Sequence, residues 1–407
     1  MKILFMTQVL PYPLDAGPKI RGYHVLCHLS QTNEITLLSF TRSSDSPEAI
    51  SHLKSICTHL ETIGMPRSRY LDGKAMVKSL LNNLPFLITR DEVSQMDLMV
   101  SQLINKERYD VIHADQLWMA PYALKAQKEA IKCGYHPEII LDQHNAVQLI
   151  PGRMAESSES QFVKLWLKRE AGLMAAYERK ICEQFDRVVW VTEEDLKVVF
   201  PEVTSSLNTD EKNSVIPICI DAEEMVPLEK IPESMDILFI GGMHWPPNAD
   251  GVNWFGNEVF PLILQKQPKA QFVAVGKQPP ATLTGENIVK TGYVDSTDTY
   301  WAGSRVFVVP LRAGGGMRVK ILDAWVKGVP VVSTSIGAEG IDYSHGKDIL
   351  IADTPDDFAQ AVNRLLTDET LAMELSRAGQ ETIRKRYDWK SIYPQWDKVY
   401  TSFRHIN

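Results

Sequence analysis

Three consecutive glycines, Gly314-Gly315-Gly316, stand directly before Met317-Arg318-Val319-Lys320 and Asp323. An apolar run precedes them (Val306 to Leu311) and another follows (Val329 to Ser333). The pattern reads as strand, glycine loop, helix, strand. Bare backbone N–H groups at a helix start bind anions, because the helix N-terminus carries partial positive charge and unpaired donors. Arg318 and Lys320 place two cations in the predicted first turn. The helix dipole disfavours them there, and a bound diphosphate would reverse that penalty. Asp323, one to two turns on, is of the right type to accept hydrogen bonds from a ribose. Without a ligand, the same residues describe a helix with two exposed basic residues and a flexible linker. The agreement of loop, charge and strand–helix–strand context favours the anion site.

The elements that must position this segment alternate along the chain. Lys2–Thr7 is an apolar strand. It is followed by a loop containing Pro11, Pro13, Gly17 and Pro18, and by a helix from about Ile20 to Ser30. Ile35–Phe40, Leu60–Met65, Val111–Ala114, Ile139–Asp142 and Arg187–Thr192 are further strand candidates. Short continuous apolar runs of this kind mark strands covered on both faces. Helices are expected at Pro47–Ile56, near Asp91–Asn105, and at Leu117–Lys132 and Gln161–Glu183. A second alternating set begins after Val215-Ile216-Pro217: strand Asp236–Gly241, helix Asn248–Lys266, strand Ala270–Val275, a short extended Asn287–Tyr293 and a helical turn Thr297–Trp301. Then come the glycine-loop unit, strand Ile349–Ala352, and helices Pro355–Leu366 and Glu369–Arg386. Trp389–Phe403 has helical apolar spacing. The reading is an α/β protein of two doubly wound, Rossmann-like parallel-sheet domains. The expected boundaries are 1–213, 214–386 and a C-terminal helix at 387–407. Ligands in such sheets sit beyond the carboxyl ends of the strands. The Gly17 loop, Gln143-His144-Asn145 and the glycine loop are therefore expected to face a cleft between the domains.

Composition narrows the function. The chain has 407 residues, 44% hydrophobic and 23% charged, with a net charge of −8, which implies no nucleic-acid partner. Its five cysteines are far apart and form no CxxC spacing, as expected of free thiols in a reducing compartment. The start, Met1-Lys2-Ile3-Leu4-Phe5-Met6, is too short for a signal-peptide core and reads as a strand. No apolar run approaches the length that spans a bilayer. There is no Asp-x-Asp pair and no His/Cys cluster of metal spacing, so no metal cofactor is expected. These features point to a cytoplasmic protein.

With these residues in view, nearly the whole chain resembles GT-B glycosyltransferases of the retaining family 4 (group 1) type. Lys2 through Gly17 resembles that family's N-terminal donor/acceptor loop. Tyr177-Glu178-Arg179-Lys180 with Phe185 to Thr192 resembles its last N-domain helix and strand. Phe239-Ile240-Gly241-Gly242-Met243 with Pro247-Asn248 resembles the start of its C-terminal domain. Gly314 to Ser333, then Gly337-Ala338-Glu339-Gly340, is the most specific match. Tyr387-Asp388-Trp389 and beyond resembles the helix that crosses back. Many members carry a Glu-x7-Glu pair, the first acid on the donor sugar and the second on the ribose. Here the first position is Gly315 and the second Asp323. The basic pair many members place after the strand Phe239–Gly241 is also absent, which leaves Arg318 and Lys320 as the diphosphate cations.

The resemblance implies a hexosyltransferase that uses a UDP- or GDP-sugar, keeps the anomeric configuration and acts in polysaccharide biosynthesis. The leaving phosphate itself would take the acceptor proton. It assigns His144 to the donor sugar near the anomeric carbon, although a histidine after a strand is often only a loop residue. Gly17, Gly314, Gly315, Gly316 and Met317 fall to the donor diphosphate and sugar. Tyr293 and Val294 match the segment that holds the base, or are an ordinary short strand. Gly276 and Lys277 can approach the same nucleoside. Asp115 and Asn145 fall to the acceptor side. His113 reads as structural. The acceptor is a glycan, a lipid-linked species or a small molecule. Helix Gln161–Glu183 carries Phe162, Leu165 and Trp166 among Lys164, Lys168 and Arg169. This stripe is read as domain core with a solvated back, the other reading being peripheral contact with the cytoplasmic face of the inner membrane. Two alternatives to transfer stand: a phosphorylase or isomerase of the same fold, with pyridoxal phosphate on Lys320 in the phosphorylase, and a non-catalytic nucleotide-sugar binding module.

Overall fold

A computed structural model describes residues 1–158, 160–203, 212–225, 228, 231 and 234–401. The chain divides into two compact units, Met1–Cys219 with the segment from Trp389 on, and Ile220–Asp388.

The first unit holds a seven-stranded sheet: β1 (Lys2–Thr7), β2 (Glu34–Thr41), β3 (His59–Gly64), β4 (Val111–Asp115), β5 (Glu138–Gln143), β6 (Arg187–Trp190) and β7 (Asn213–Val215). The order is β3-β2-β1-β4-β5-β6-β7 and every pairing is parallel. The continuous apolar runs have a physical reason here. Leu4, Met6, Ile112, Ala114 and Leu141 pack into one core, while Ile3, Phe5, Val111 and Ile140 pack into a second on the opposite face. Successive side chains of one strand thus feed two cores.

The second unit holds six parallel strands: β8 (Asp236–Ile240), β9 (Gln271–Val275), β10 (Ile288–Gly292), β11 (Ser304–Val309), β12 (Val331–Ser333) and β13 (Leu350–Ile351). Their order is β10-β9-β8-β11-β12-β13. Both sheets reverse their winding once, between β1 and β4 and between β8 and β11. Such a switch point leaves a crevice at the strands' carboxyl ends.

Several elements differ from the sequence reading. The first unit runs through β7 to Cys219 rather than ending at 213, and Tyr387 and Asp388 stay with the second. The helix expected from Ile20 starts at Gly17, so Gly17 is its first residue, not part of the loop. Pro18 tolerates that place because first-turn N–H groups have no helical partner. Helices Arg69–Asn82, Phe86–Arg90 and Leu149–Ser157 were not anticipated. Asn248–Lys266 is three pieces, Pro246–Trp254, a π turn at Phe255–Val259, and Phe260–Lys266. Pro261 cannot donate to a continuous ladder, and the wider turn takes up the break. The C-terminal helix is likewise broken into Trp389–Ile392 and Pro394–Thr401 at Pro394. Phe403 lies outside the described residues. None of the five cysteines is joined in a disulfide. Among the described residues, no helix is long and apolar enough to cross a membrane.

Candidate functional site

In the second unit, the loops after β8, β9 and β11 meet at the switch point. Gly276, after β9, has φ +143°, and a Cβ there would come 2.1 Å from the Gly241 carbonyl oxygen, so only glycine fits. A Cβ on Gly241 would lie 3.0 Å from Lys320 Nζ and 3.0 Å from Asn248 Nδ2. The bare Gly241 therefore makes room for the lysine. Lys320 donates to Asn248 Oδ1 at 3.0 Å and lies 4.4 Å over the Phe239 ring. Asn248 is in turn fixed through Nδ2 to the Gly242 carbonyl at 2.9 Å. Burial, reinforced by the neighbouring Arg318 charge, pushes Lys320 down to about 7. Burial pushes the Asp323 carboxyl up to about 6, against the pull of Lys320.

Arg318 departs from the sequence reading. Helix Val319–Val326 begins after it, and Arg318 is the N-cap residue with φ −88° and ψ 71°. Its side chain folds back on the loop: Nη1 donates to the Gly315 carbonyl at 2.6 Å and Nε to the Ile336 carbonyl at 3.1 Å. Glu339 lies 3.6 Å from Nη2. Arg318 thus braces the glycine loop, with Gly314 at φ +123° closing over its guanidinium. Gly315 and Gly316 are half-buried and Met317 is buried. Lys320 and Asp323 share one helix, and Gly276 reaches them through Gly241. Tyr293 is exposed, with Lys277 Nζ 4.7 Å over its ring, and Val294 beside it is half-buried.

In the first unit, β4, β5 and helix Gly17–Ser30 bring a second cluster together. His144, directly after β5, sets Nε2 2.9 Å from Asp115 Oδ1 and 3.7 Å from Asp142 Oδ2, with the Gln116 amide 3.2 Å from Nδ1. Burial opposes the imidazolium, but the two carboxylates outweigh it and push His144 up to about 9. Arg21 donates through Nε to both oxygens of Asp142, at 2.8 and 2.9 Å, and through Nη1 to the Ile216 carbonyl at 2.7 Å. Burial disfavours the Asp142 charge, yet Arg21 and His144 hold its carboxyl below the ordinary range. His113 is structural: it stacks 4.2 Å from Phe5 and its Nδ1 meets the Tyr400 hydroxyl at 2.7 Å. Burial pushes it down to about 3. Asn145 is half-buried and its carbonyl accepts from Gln143 Nε2 at 2.8 Å. Gly17 is half-buried at the uncapped start of its helix.

Sequence reasoning missed the residues that hold this cluster. Glu178 accepts from the Val147 N–H at 2.9 Å, the Gln148 N–H at 3.4 Å and Gln143 Nε2 at 2.5 Å. Asp195 accepts from the Ala146 N–H at 2.7 Å. Two buried carboxyls therefore tie down the backbone just past His144, and burial pushes Glu178 up to about 8. An acid inside an apolar helical stripe was the available signal. His113, Asp115 and Asp142 also place potential metal ligands within 4.8 Å of one another, a grouping absent from local spacing. Arg21 already occupies both oxygens of Asp142, and His144 occupies Asp115 Oδ1. Two cations thus already face these carboxylates, while Asp115 Oδ2 and His113 Nε2 are buried with no hydrogen-bond partner among the described residues.

Residues 234–368 match the family described as Glycosyl transferases group 1. A 44.6 kDa protein in the cps region of Klebsiella pneumoniae is 22% identical over 410 residues, which span 96% of this chain and 98% of that one. Sucrose-phosphate synthase from Thermosynechococcus elongatus superposes with a TM-score of 0.69 at 16% identity, covering all of both chains. HepE of Anabaena, solved with UDP and glucose, gives a TM-score of 0.66 at 14% identity over 99% of this chain and 100% of that one. The two parallel-sheet α/β domains are those of the GT-B fold, and the group 1 match lies within the second.

Proposed function

We propose that the protein is a glycosyltransferase that moves a hexosyl group from a nucleoside diphosphate sugar to an acceptor, with retention and without a metal. The observation that carries this reading is Lys320. It is a half-buried lysine beside the Arg318 charge, donating to the Asn248 amide and lying over the Phe239 ring, with Asp323 of the same helix as its acidic neighbour, in the domain that matches the group 1 family. A diphosphate adds negative charge where burial and Arg318 otherwise disfavour the ammonium. In the proposed complex the glycine-loop N–H groups and Lys320 hold the diphosphate, and Arg318 keeps the loop in shape. Charge developing on the leaving diphosphate is then stabilised by donors already in place. Asp323 takes the ribose, and Gly276, Tyr293 and Val294 border the nucleoside. His144, kept as imidazolium by Asp115 and Asp142, contacts the donor sugar, with Asp115 and Asn145 toward the acceptor. The leaving phosphate takes the acceptor proton, so no separate base is assigned. UDP or GDP carries the sugar.

A thermal-shift panel of nucleoside diphosphates and nucleotide sugars tests the reading. A true donor at a hundred times its dissociation constant adds about 2.7 kcal/mol of stability. A flat response across the whole panel rejects it.

A further inference from the structure

Helix Arg69–Asn82 turns its small residues inward and its large ones outward. Its buried residues are Ala75 and Ser79. Tyr70, Val77 and Leu81 share one helical face with Lys74 and are 78%, 56% and 81% exposed. The start of helix Gln161–Gln184 repeats the arrangement. Phe162 and Leu165 are 82% and 70% exposed, whereas the buried residues of that helix begin at Glu170. Its first half is therefore not the domain core that the sequence pattern suggests; only the second half, with Met174, Ile181 and Cys182, is. The two helices adjoin. Arg169 Nη2 donates to the Ser79 carbonyl at 3.2 Å, and Glu170 accepts from the Phe86 N–H at 2.8 Å.

Charge decides what covers this face. Residues 69–82 and 161–170 hold six cations (Arg69, Lys74, Lys78, Lys164, Lys168, Arg169) against two acids (Asp72, Glu170), in a chain of net charge −8. Glu92 from outside these segments pairs with Lys78, and Arg169 pairs with its neighbour Glu170. Large apolar side chains interleaved with lysines are unlike the core of a protein–protein interface, where lysine is depleted. They are the composition of a surface that rests in a headgroup layer, apolar groups at the acyl boundary and long cationic stems reaching phosphate. We propose that these two exposed helix surfaces dock the first unit on a bilayer rich in anionic phospholipid. Docking is read from vesicle binding alone, so its failure is separate from failure of the transferase reading.

The test is flotation of the full chain with vesicles of equal parts phosphatidylglycerol and phosphatidylcholine, against phosphatidylcholine alone. The protein floats with the first and only weakly with the second. Leu81→Ser with Phe162→Ser weakens binding on the order of tenfold. Lys74→Glu with Lys164→Glu removes the preference for anionic vesicles. Met373→Ser, at an exposed apolar residue of the second unit, leaves flotation unchanged. Lys74, Leu81, Phe162 and Met373 are exposed and Lys164 is half-buried, and an unchanged melting temperature confirms that the variants are folded. No flotation of the wild type, or flotation unaltered in both double variants, overturns the proposal. It is equally overturned if the wild type is a dimer by light scattering, the apolar variant a monomer, and neither floats. That pattern assigns the face to a second copy of the chain.

Discussion

Lys320 Nζ lies 3.0 Å from Asn248 Oδ1 and 4.4 Å from the centre of the Phe239 ring. Its ammonium thus meets an amide and an aromatic face, while burial and the Arg318 guanidinium both work against its charge. The lysine is poised near neutrality, and an incoming anion changes its protonation.

Nucleoside diphosphate binding is therefore expected to take up a proton. At pH 7 Lys320, pushed down to about 7, is roughly half protonated in the free protein. A bound diphosphate favours the ammonium and raises its pKa. Affinity falls as pH rises above 7 because the neutral lysine must first be protonated, and the uptake fades below it, where the lysine is already charged. Calorimetry in two buffers of different ionisation enthalpy measures it. A binding enthalpy that is the same in both buffers shows that Lys320 does not meet the diphosphate.

Arg318 and Lys320 should fail differently when changed. Lys320→Ala removes a direct electrostatic stabiliser, and turnover falls on the order of 10²-fold or more. Arg318→Ala lets the glycine loop go slack and costs a similar factor. Arg318→Lys does not rescue it, because an ammonium cannot span both the Gly315 and Ile336 carbonyls as the guanidinium fork does. Steady-state kinetics with a folded-state check by circular dichroism reads both. Wild-type turnover in Lys320→Ala and Arg318→Ala would sink the diphosphate assignment.

What could be read in the sequence is what is written locally. The glycine loop, β11, β12 and the helix between them occupy one continuous segment, so spacing alone located them. The Arg21–Asp142 pair joins residues 121 apart, and Glu178 reaches the Val147 N–H from 31 residues away. Such partners exist only once the sheet order is set. Helix Arg69–Asn82 escaped because its apolar periodicity tracks solvent, not a core; the residues that seat it, Ala75 and Ser79, carry almost no pattern. Arg318 was misplaced by one position, and that position decides whether its side chain projects from a helical turn or folds back on the loop.

Turnover is expected to survive EDTA. The sequence holds no Asp-x-Asp pair. Within the group of His113, Asp115 and Asp142, the Asp142 oxygens and Asp115 Oδ1 already face Arg21 and His144. Activity abolished by the chelator and restored by Mn²⁺ or Mg²⁺ would place a metal where none is assigned.

His144→Ala is expected to damage transfer while sparing nucleotide affinity, and the wild-type product is expected to keep the donor's anomeric configuration. His144 belongs to the first unit, whereas Lys320, Asp323 and the glycine loop belong to the second. Losing the imidazole therefore leaves the proposed diphosphate and ribose contacts intact. What goes is a charged donor that Asp115 and Asp142 hold as imidazolium up to about pH 9. Asp115→Asn should act through the same group: with one carboxylate gone, the His144 pKa falls and the alkaline limb of the pH–rate profile moves to lower pH. In His144→Ala that limb disappears, turnover drops and nucleoside diphosphate affinity holds. Calorimetry of the mutant and proton NMR of the new glycosidic linkage are the decisive pair. Lost nucleotide affinity in His144→Ala would move the histidine to another role, and an inverted anomer would overturn retention itself.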